Sequence, residues 1–312
     1  MKAAIVERFG PPEVIRWGER PRPAPKASEI LVAVEAAALN PVDARLRGGY
    51  LSWLTSWRLP RGTGLDFAGV VAEVGAKVEG FRPGDAVFGS LPPLDPQGSC
   101  SEFVRVAPAH LARNEAGLAP EVAAALGTAG CAALAAVESV RAGERCLVIG
   151  ASGSVGFLAA QLARSRGAEV TVVTSGRHVE RLRAAGFTRL IDYERAPLQS
   201  RPERFDVVIE AAGASDFAAL RHLLADRGTF VALSPTASMV LHHLRALVTR
   251  GPRLRLLASR VTPACLAHLA AEVAAGRLLP PPIETMPPAA IVEAHRRLES
   301  KHAGAKLVVR LR

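Results

Sequence analysis

One stretch constrains the fold more than any other: Arg145-Cys-Leu-Val-Ile-Gly-Ala-Ser-Gly-Ser-Val-Gly156, followed by Phe157-Leu-Ala-Ala-Gln-Leu-Ala163. An apolar run of buried-strand character ends at Gly150, and an amphipathic helix opens after a turn rich in small residues. Gly150, Gly153 and Gly156 punctuate that turn, and Ala151 opens an A-x-G-x-x-G pattern. Small residues let the backbone turn tightly and approach a pyrophosphate, while the new helix aims its first N–H groups and positive dipole end at the anion. A tight strand-to-helix connection would use the same glycines. Here, however, a second strand, Glu169-Val-Thr-Val-Val-Thr174, follows the helix at the expected place. Strand, turn, helix and strand in this order predict a parallel, doubly wound α/β unit that binds a dinucleotide.

The end of the second strand selects the cofactor. An NAD site carries a carboxylate about twenty residues past the glycines, for the ribose 2′-hydroxyl; an NADP site presents a cation to the 2′-phosphate. This chain reads Thr174-Ser-Gly-Arg-His178, with no carboxylate before Glu180. Ser175 can donate from its hydroxyl, Arg177 can hold phosphate oxygens bidentately, and His178 is placed to stack or assist. A merely solvated Arg177 would sit poorly at a helix start, where the dipole disfavours cations. The expectation is NADPH rather than NADH.

The rest of the chain divides by pattern. Short segments cut by Pro and Gly, such as 30–34 and 69–74, predict a β-rich domain over 1–120. Alternating strands and helices predict the dinucleotide-binding domain over 121–258. Helical stretches at 262–275 and 288–299 and a strand at 306–311 make a C-terminal return segment, 259–312, packing on the first domain. At 49% hydrophobic and 22% charged residues, the chain is globular rather than disordered or fibrous. The net charge of +10 is scattered without basic blocks, so nucleic acid is not expected as the primary ligand. No apolar run reaches the roughly eighteen residues of a membrane span. Cys100, Cys131, Cys146 and Cys265 form no C-x-x-C pair, which predicts neither a disulfide framework nor a zinc knuckle and fits a reducing cytoplasm. Gly150-Ala-Ser-Gly-Ser154 lacks the second glycine of a hydrolase elbow. The histidines, His242-His243 and His295 to His302 among them, show no metal-ligand spacing, and most read as solvated helix residues.

Further motifs run nearly the full length: Ala38-Leu-Asn-Pro-Val-Asp43, Gly64-Leu-Asp-Phe-Ala-Gly-Val-Val-Ala-Glu-Val-Gly75, Phe81-Arg-Pro-Gly-Asp-Ala-Val-Phe-Gly89, Ile191-Asp-Tyr193, Phe205-Asp-Val-Val-Ile209 and Gly304-Ala-Lys-Leu-Val308. With the glycine turn, these resemble the zinc-independent quinone oxidoreductase group of the medium-chain dehydrogenase/reductase superfamily, whose members join a GroES-like β-rich catalytic domain to a Rossmann-type parallel sheet. The resemblance implies hydride transfer from NADPH to a quinone or an activated α,β-unsaturated carbonyl. It places Asn40, Pro41 and Thr128 on the nicotinamide side, and Ser152, Gly153, Ser154 and Val155 at the pyrophosphate between Gly150 and Gly156. It sets Ser175, Arg177, His178 and Tyr193 at the 2′-phosphate, and Ala212, Leu233, Ser234 and Pro235 along the inner half. Tyr50 becomes either a candidate donor to the substrate or an aromatic wall of its pocket, with Asn40 and Asp43 as the other catalytic candidates, Asp43 orienting its neighbours rather than acting as an acid.

No metal is expected. Zinc-dependent relatives have Gly-His-Glu where this chain has Gly64-Leu65-Asp66, a cysteine near Asn40, and a four-cysteine lobe where only Cys100 stands. Without a Lewis acid, hydride delivery needs a product that is stable in itself, and hydroquinones and enolates qualify. Glu210-Ala-Ala-Gly213 departs from the family's polar pattern, and the apolar segment 50–57 reads either as a substrate entrance or as a packed helix. The alternative is an NADPH-binding structural or sensor protein with little turnover. Residues 253–258 are expected at a sheet edge, pairing two copies into a homodimer.

Overall fold

The computed structural model describes residues 1–50, 52–55, 59–234, 236, 239, 242, 251–300 and 304–312. In chain order the strands are β1 (Lys2–Val6), β2 (Ile15–Glu19), β3 (Ile30–Ala38), β4 (Asp66–Val74), β5 (Ala86–Ser90), β6 (Phe103–Val106) and β7 (Leu111–Arg113). After the helix Pro120–Ala136 come β8 (Arg145–Ile149), β9 (Glu169–Thr174), β10 (Arg189–Asp192), β11 (Phe205–Glu210), β12 (Leu224–Ala232) and β13 (Arg253–Leu256); β14 (Ile283–Met286) and β15 (Lys306–Arg310) close the chain. Two compact units result: Met1–Cys131 with Val261–Arg312, and Ala132–Arg260.

The first unit is the GroES-like one. Its main sheet runs β14-β15-β3-β4-β5-β7, with β6 also on β3. The Ile30–Ala38 strand is buried at eight of its nine positions, so it reads as a continuous apolar run rather than an alternating one. Gly69 is required opposite it, because a Cβ there would lie 2.0 Å from the Ala33 carbonyl oxygen. Phe67 and Phe88 are wholly buried in this unit; truncating such a ring to alanine typically costs about 3–5 kcal/mol.

The second unit is the Rossmann-type one: six parallel strands ordered β10-β9-β8-β11-β12-β13. In unit order this is 3-2-1-4-5-6, which puts the reversal of winding between β8 and β11, where such sheets bind ligands beyond the carboxyl ends of the strands. Leu147, Ile149, Val208, Phe230 and Leu254 form its apolar core. Residues 253–256 end the sheet, paired among the described residues with β12 alone.

The cysteine expectation needs correction. Cys131, on the helix Pro120–Ala136, forms a disulfide with Cys265, on the helix Pro263–Ala274, at a sequence separation of 134. Their Cα atoms lie 6.0 Å apart, within disulfide range. The helices come this close at Gly130, where a Cβ would meet Leu269 at 2.5 Å. Spacing rules cannot see a partner so far along the chain. Among the described residues no helix is long and apolar enough to cross a membrane.

Candidate functional site

In the second unit the site is made of backbone. Gly150 adopts a φ of 81°, and a Cβ there would stand 2.9 Å from the Ala212 nitrogen. At Gly156 a Cβ would meet the Gly150 carbonyl oxygen at 2.3 Å, so the turn and the helix pack closer than any side chain permits. Gly153 is different, since its Cβ would come no nearer than 3.5 Å to anything. It stands at the N-cap of the helix Ser154–Ser165 without a side-chain cap, leaving the first N–H groups of that helix for an outside acceptor. Ser152, Ser154 and Val155 lie in this turn. These features fit a dinucleotide pyrophosphate.

Next to the turn, β9 ends in Thr174 and Ser175 follows it, both buried, and the Thr174 hydroxyl has no hydrogen-bond partner among the described residues. Residues 176–178 form one 3-10 turn carrying Arg177, which is exposed and outside every ion pair among the described residues, and His178. Tyr193 donates its backbone N–H to the Thr174 carbonyl at 3.1 Å and exposes 48% of its surface. Ser175, Arg177, His178 and Tyr193 are therefore brought together. Ala212 and Leu233 follow the ends of β11 and β12, Ser234 stands beside Leu233, and Pro235 lies outside the described residues.

Sequence reasoning missed three groups here. Arg181 donates to the Ser152 carbonyl at 2.8 Å, tying the glycine turn to the segment after β9, and burial draws its pKa down. Asp192 and Glu194 come up beside Gly176, whose N–H donates to Glu194 Oε2 at 3.4 Å. Counting forward from the glycines cannot find them, because the end of the neighbouring strand β10 delivers them. Glu210 is wholly buried, and its carboxylate accepts the N–H groups of Gly213 at 3.0 Å and Ala214 at 3.2 Å. Burial pushes its pKa up against those bonds.

In the first unit the candidate site is made of side chains. Asn40 starts the helix Pro41–Arg47, with Pro41 at the first position, and its backbone N–H donates to Asp43 Oδ2 at 2.6 Å, the reach-back half of a capping box. Its side-chain Nδ2 donates to Asp66 Oδ2 at 2.8 Å, and Lys306 Nζ donates to its Oδ1. Lys306 Nζ is also 3.5 Å from Asp66 Oδ2. Thr128 adds its backbone N–H, at 2.9 Å, and its hydroxyl, at 2.6 Å, to Asp66 Oδ1, and the Ser90 hydroxyl is 3.2 Å from that of Thr128. Gly127 makes the approach possible, since a Cβ there would be 2.6 Å from Asp66 Oδ1.

Asn40, Asp43, Asp66 and Lys306 are all buried. Burial pushes the Asp43 carboxyl up to about 7, and the charge of Asp66 adds to this against the Asn40 N–H, Lys306 and Arg61. Burial draws the Lys306 ammonium down, against the two carboxylates. Two acids and one ammonium in so little solvent favour a proton on Asp43. Asp66 and Lys306 were visible beforehand only as members of longer motifs.

Tyr50 does not join this cluster. It is 56% exposed, and its backbone N–H donates to the Arg45 carbonyl at 2.8 Å. Trp53, on the single helical turn Ser52–Thr55, is 76% exposed, while Leu51 and Trp57 lie outside the described residues. His295 is not one of the solvated histidines. The ring is wholly buried, its Nε2 lies 3.1 Å from the Thr63 hydroxyl, and burial with the nearby Arg47 pushes its pKa down to about 3. The helix Ile291–Glu299 turns that face to the core of the unit.

Comparison with known proteins gives two family-model matches, each of which crosses the boundary between the two units. Residues 26–151 match the family model of the alcohol dehydrogenase GroES-like domain, and residues 185–309 that of the zinc-binding dehydrogenase. The mitochondrial NAD(P)H oxidoreductase RTN4IP1 of Bos taurus is 29% identical over 99% of this chain and 89% of its own length. The chloroplastic NADPH-dependent alkenal/one oxidoreductase of Arabidopsis thaliana is 30% identical over 99% and 79%. The solved quinone oxidoreductase from Coxiella burnetii superposes with a TM-score of 0.92 at 31% identity, covering 100% of this chain and 99% of the other.

Proposed function

The chain belongs to the quinone-oxidoreductase type of the medium-chain dehydrogenase/reductase superfamily, and from that premise we propose that it is an NADPH-dependent reductase of quinones or activated α,β-unsaturated carbonyls. The observation that carries the reading is the glycine turn of residues 150–156, opening an uncapped helix where the winding of the parallel sheet reverses. When bound, the reduced nicotinamide supplies the hydride.

The remaining work falls to the chain. The N–H groups at Ser154 and Val155 meet the pyrophosphate, with Gly153 turned in by its own N–H donating to the Gly150 carbonyl and Ser152 held by Arg181. Ser175, Arg177, His178 and Tyr193 take the adenosine 2′-phosphate, Arg177 supplying a cation that makes no ion pair among the described residues. Ala212, Leu233, Ser234 and Pro235 border the inner half. Asn40, Pro41 and Thr128 form the nicotinamide side, Asp43 orients Asn40 through its N–H, and Tyr50 offers its hydroxyl to the substrate oxygen.

The reaction is assigned without metal on the chemistry of the residues present. Leu65 is buried in an apolar cluster where zinc-dependent relatives carry histidine, and burial holds the Cys100 thiol well above its ordinary pKa. Such groups make poor zinc ligands. A quinone or enone yields a hydroquinone or enolate that needs no Lewis acid. The edge strand Arg253–Leu256 is assigned to a homodimer, where antiparallel self-pairing would satisfy both edges. Sedimentation should find a dimer at micromolar concentration.

The test mixes purified protein with NADPH and a panel of quinones and enones while reduced-nicotinamide absorbance is followed. Turnover with any acceptor, untouched by chelator, is the expected result. Tight NADPH binding without turnover would replace the enzyme by an NADPH-binding structural protein.

A further inference from the structure

Four elements far apart in sequence meet at one carboxylate: the start of the helix Pro41–Arg47 (Asn40), the start of β4 (Asp66), the helix Pro120–Ala136 (Thr128) and the start of β15 (Lys306). We propose that Lys306, acting through Asp66, is a positioning residue that holds the Asn40 carboxamide and the Thr128 hydroxyl in a single orientation. Its catalytic consequence rests on the function proposed above; the positioning itself does not.

The hydrogen bonds dictate the orientation. Asn40 Oδ1 accepts from the ammonium and Nδ2 donates to the carboxylate. Turning the amide over would set its NH2 against the ammonium and its oxygen against the carboxylate, two repulsive contacts in place of two bonds. Thr128 is fixed likewise. Its hydroxyl proton is committed to Asp66, so its oxygen presents only lone pairs elsewhere. Asn40 keeps one side-chain N–H without a partner among the described residues. The pair thus offers a ligand one acceptor, at Thr128, and one donor, at Asn40, the complement of a primary carboxamide such as that of nicotinamide.

Stability does not account for the arrangement. A buried ion pair is often no better than apolar side chains of similar volume, and this one stands in a unit otherwise rich in buried apolar residues. Its distinctive effect is on hydrogen-bond direction. Lys306→Met alone would leave Asp66 short of a counter-charge, so the double variant Lys306→Met/Asp66→Asn, which removes both charges, serves as the second test.

In either variant, kcat per folded molecule should fall about ten- to a hundredfold as reacting groups lose alignment, while the acceptor KM changes by less than about threefold. The primary isotope effect with deuterium at the transferred position of NADPH should rise as hydride transfer becomes limiting, and Lys306→Arg should recover part of the loss. Unchanged kcat and isotope effect in a folded double variant would overturn the proposal. A readout without turnover completes the test. The nuclear magnetic resonance shifts of the Thr128 backbone amide and the Asn40 side-chain amide should move in the double variant, and unmoved shifts would overturn it. If the unaltered protein binds NADPH and reduces no acceptor, the proposed function falls while these shifts still decide the positioning.

Discussion

The two units hold their polar groups in opposite ways. In the second unit the strands bury aliphatic and aromatic side chains, and the candidate site is written in backbone: a glycine with positive φ, a helix start without a cap, carbonyls that accept from Arg181 and Tyr193. Even its buried Glu210 is satisfied by backbone N–H groups. The first unit instead takes Asp43, Asp66, Lys306, Arg47 and His295 inside, and most of their partners are one another or side chains from distant strands and helices. A backbone site depends on where small residues fall along a few consecutive positions. A side-chain site depends on which distant positions the fold brings together.

The sharpest way to break this comparison is Gly156→Val. With a Cβ at 2.3 Å from the Gly150 carbonyl oxygen, the turn must open; dinucleotide binding should vanish and stability should drop by roughly 3 kcal/mol or more, the upper range of overpacking. Thermal unfolding and an NADPH titration measure both, and near-normal affinity would mean that close backbone packing does not build the site.

A smaller effect separates backbone from charge within the same unit. Arg177→Ala should weaken NADPH by about 1.5–3 kcal/mol, the worth of a hydrogen bond to a charged group, and hardly alter NADH. Equal losses for the two cofactors would show that the side chain reads no 2′-phosphate, and that Asp192 and Glu194 beside Gly176 set the preference instead.

The smallest effect sharpens the picture of the first unit through pH. Asp43 rises from an ordinary 3.8 to about 7, so the stability it contributes is full below about pH 4 and lost as pH climbs through 7. His295 falls from 6.5 to about 3, so its contribution is full above pH 6.5 and lost as pH drops toward 3. Over the shared window the two slopes oppose each other. Asp43→Asn keeps an acceptor for the Asn40 N–H and removes one slope, so its melting temperature should climb from pH 4 to 6.5 more steeply than that of the unaltered protein. Parallel curves would mean that Asp43 does not take up a proton on folding.

The same contrast explains what was legible beforehand. The turn at Gly150–Gly156 and the strands flanking it could be read because each signal spans a few residues, and β8, β9 and the turn stand where the pattern put them. Asn40, Thr128 and Tyr193 were reached only through resemblance, and the role of Lys306 not at all, since nothing near position 306 announces a partner at positions 40 and 66. Asp192 escaped because parallel strands place consecutive strand ends side by side, so the last residue of the next strand stands next to Gly176. The burial of His295 was not legible because a helix with Arg296 and Arg297 beside it reads as polar, although its other face carries Ile291 and Ala294 into the core.

The bond between Cys131 and Cys265 gives the molecule a covalent topology that the linear sequence does not suggest. With the disulfide formed, residues 131–265 are a closed ring carrying two tails, and the whole of Ala132–Arg260 lies on that ring. A protease that cuts once between the two cysteines opens the ring but releases nothing, so the nicked protein migrates as one chain until a reductant is added and then as two. Two cuts can free a piece of the dinucleotide-binding unit while the two stretches of the other unit, which meet at this bond, stay covalently joined.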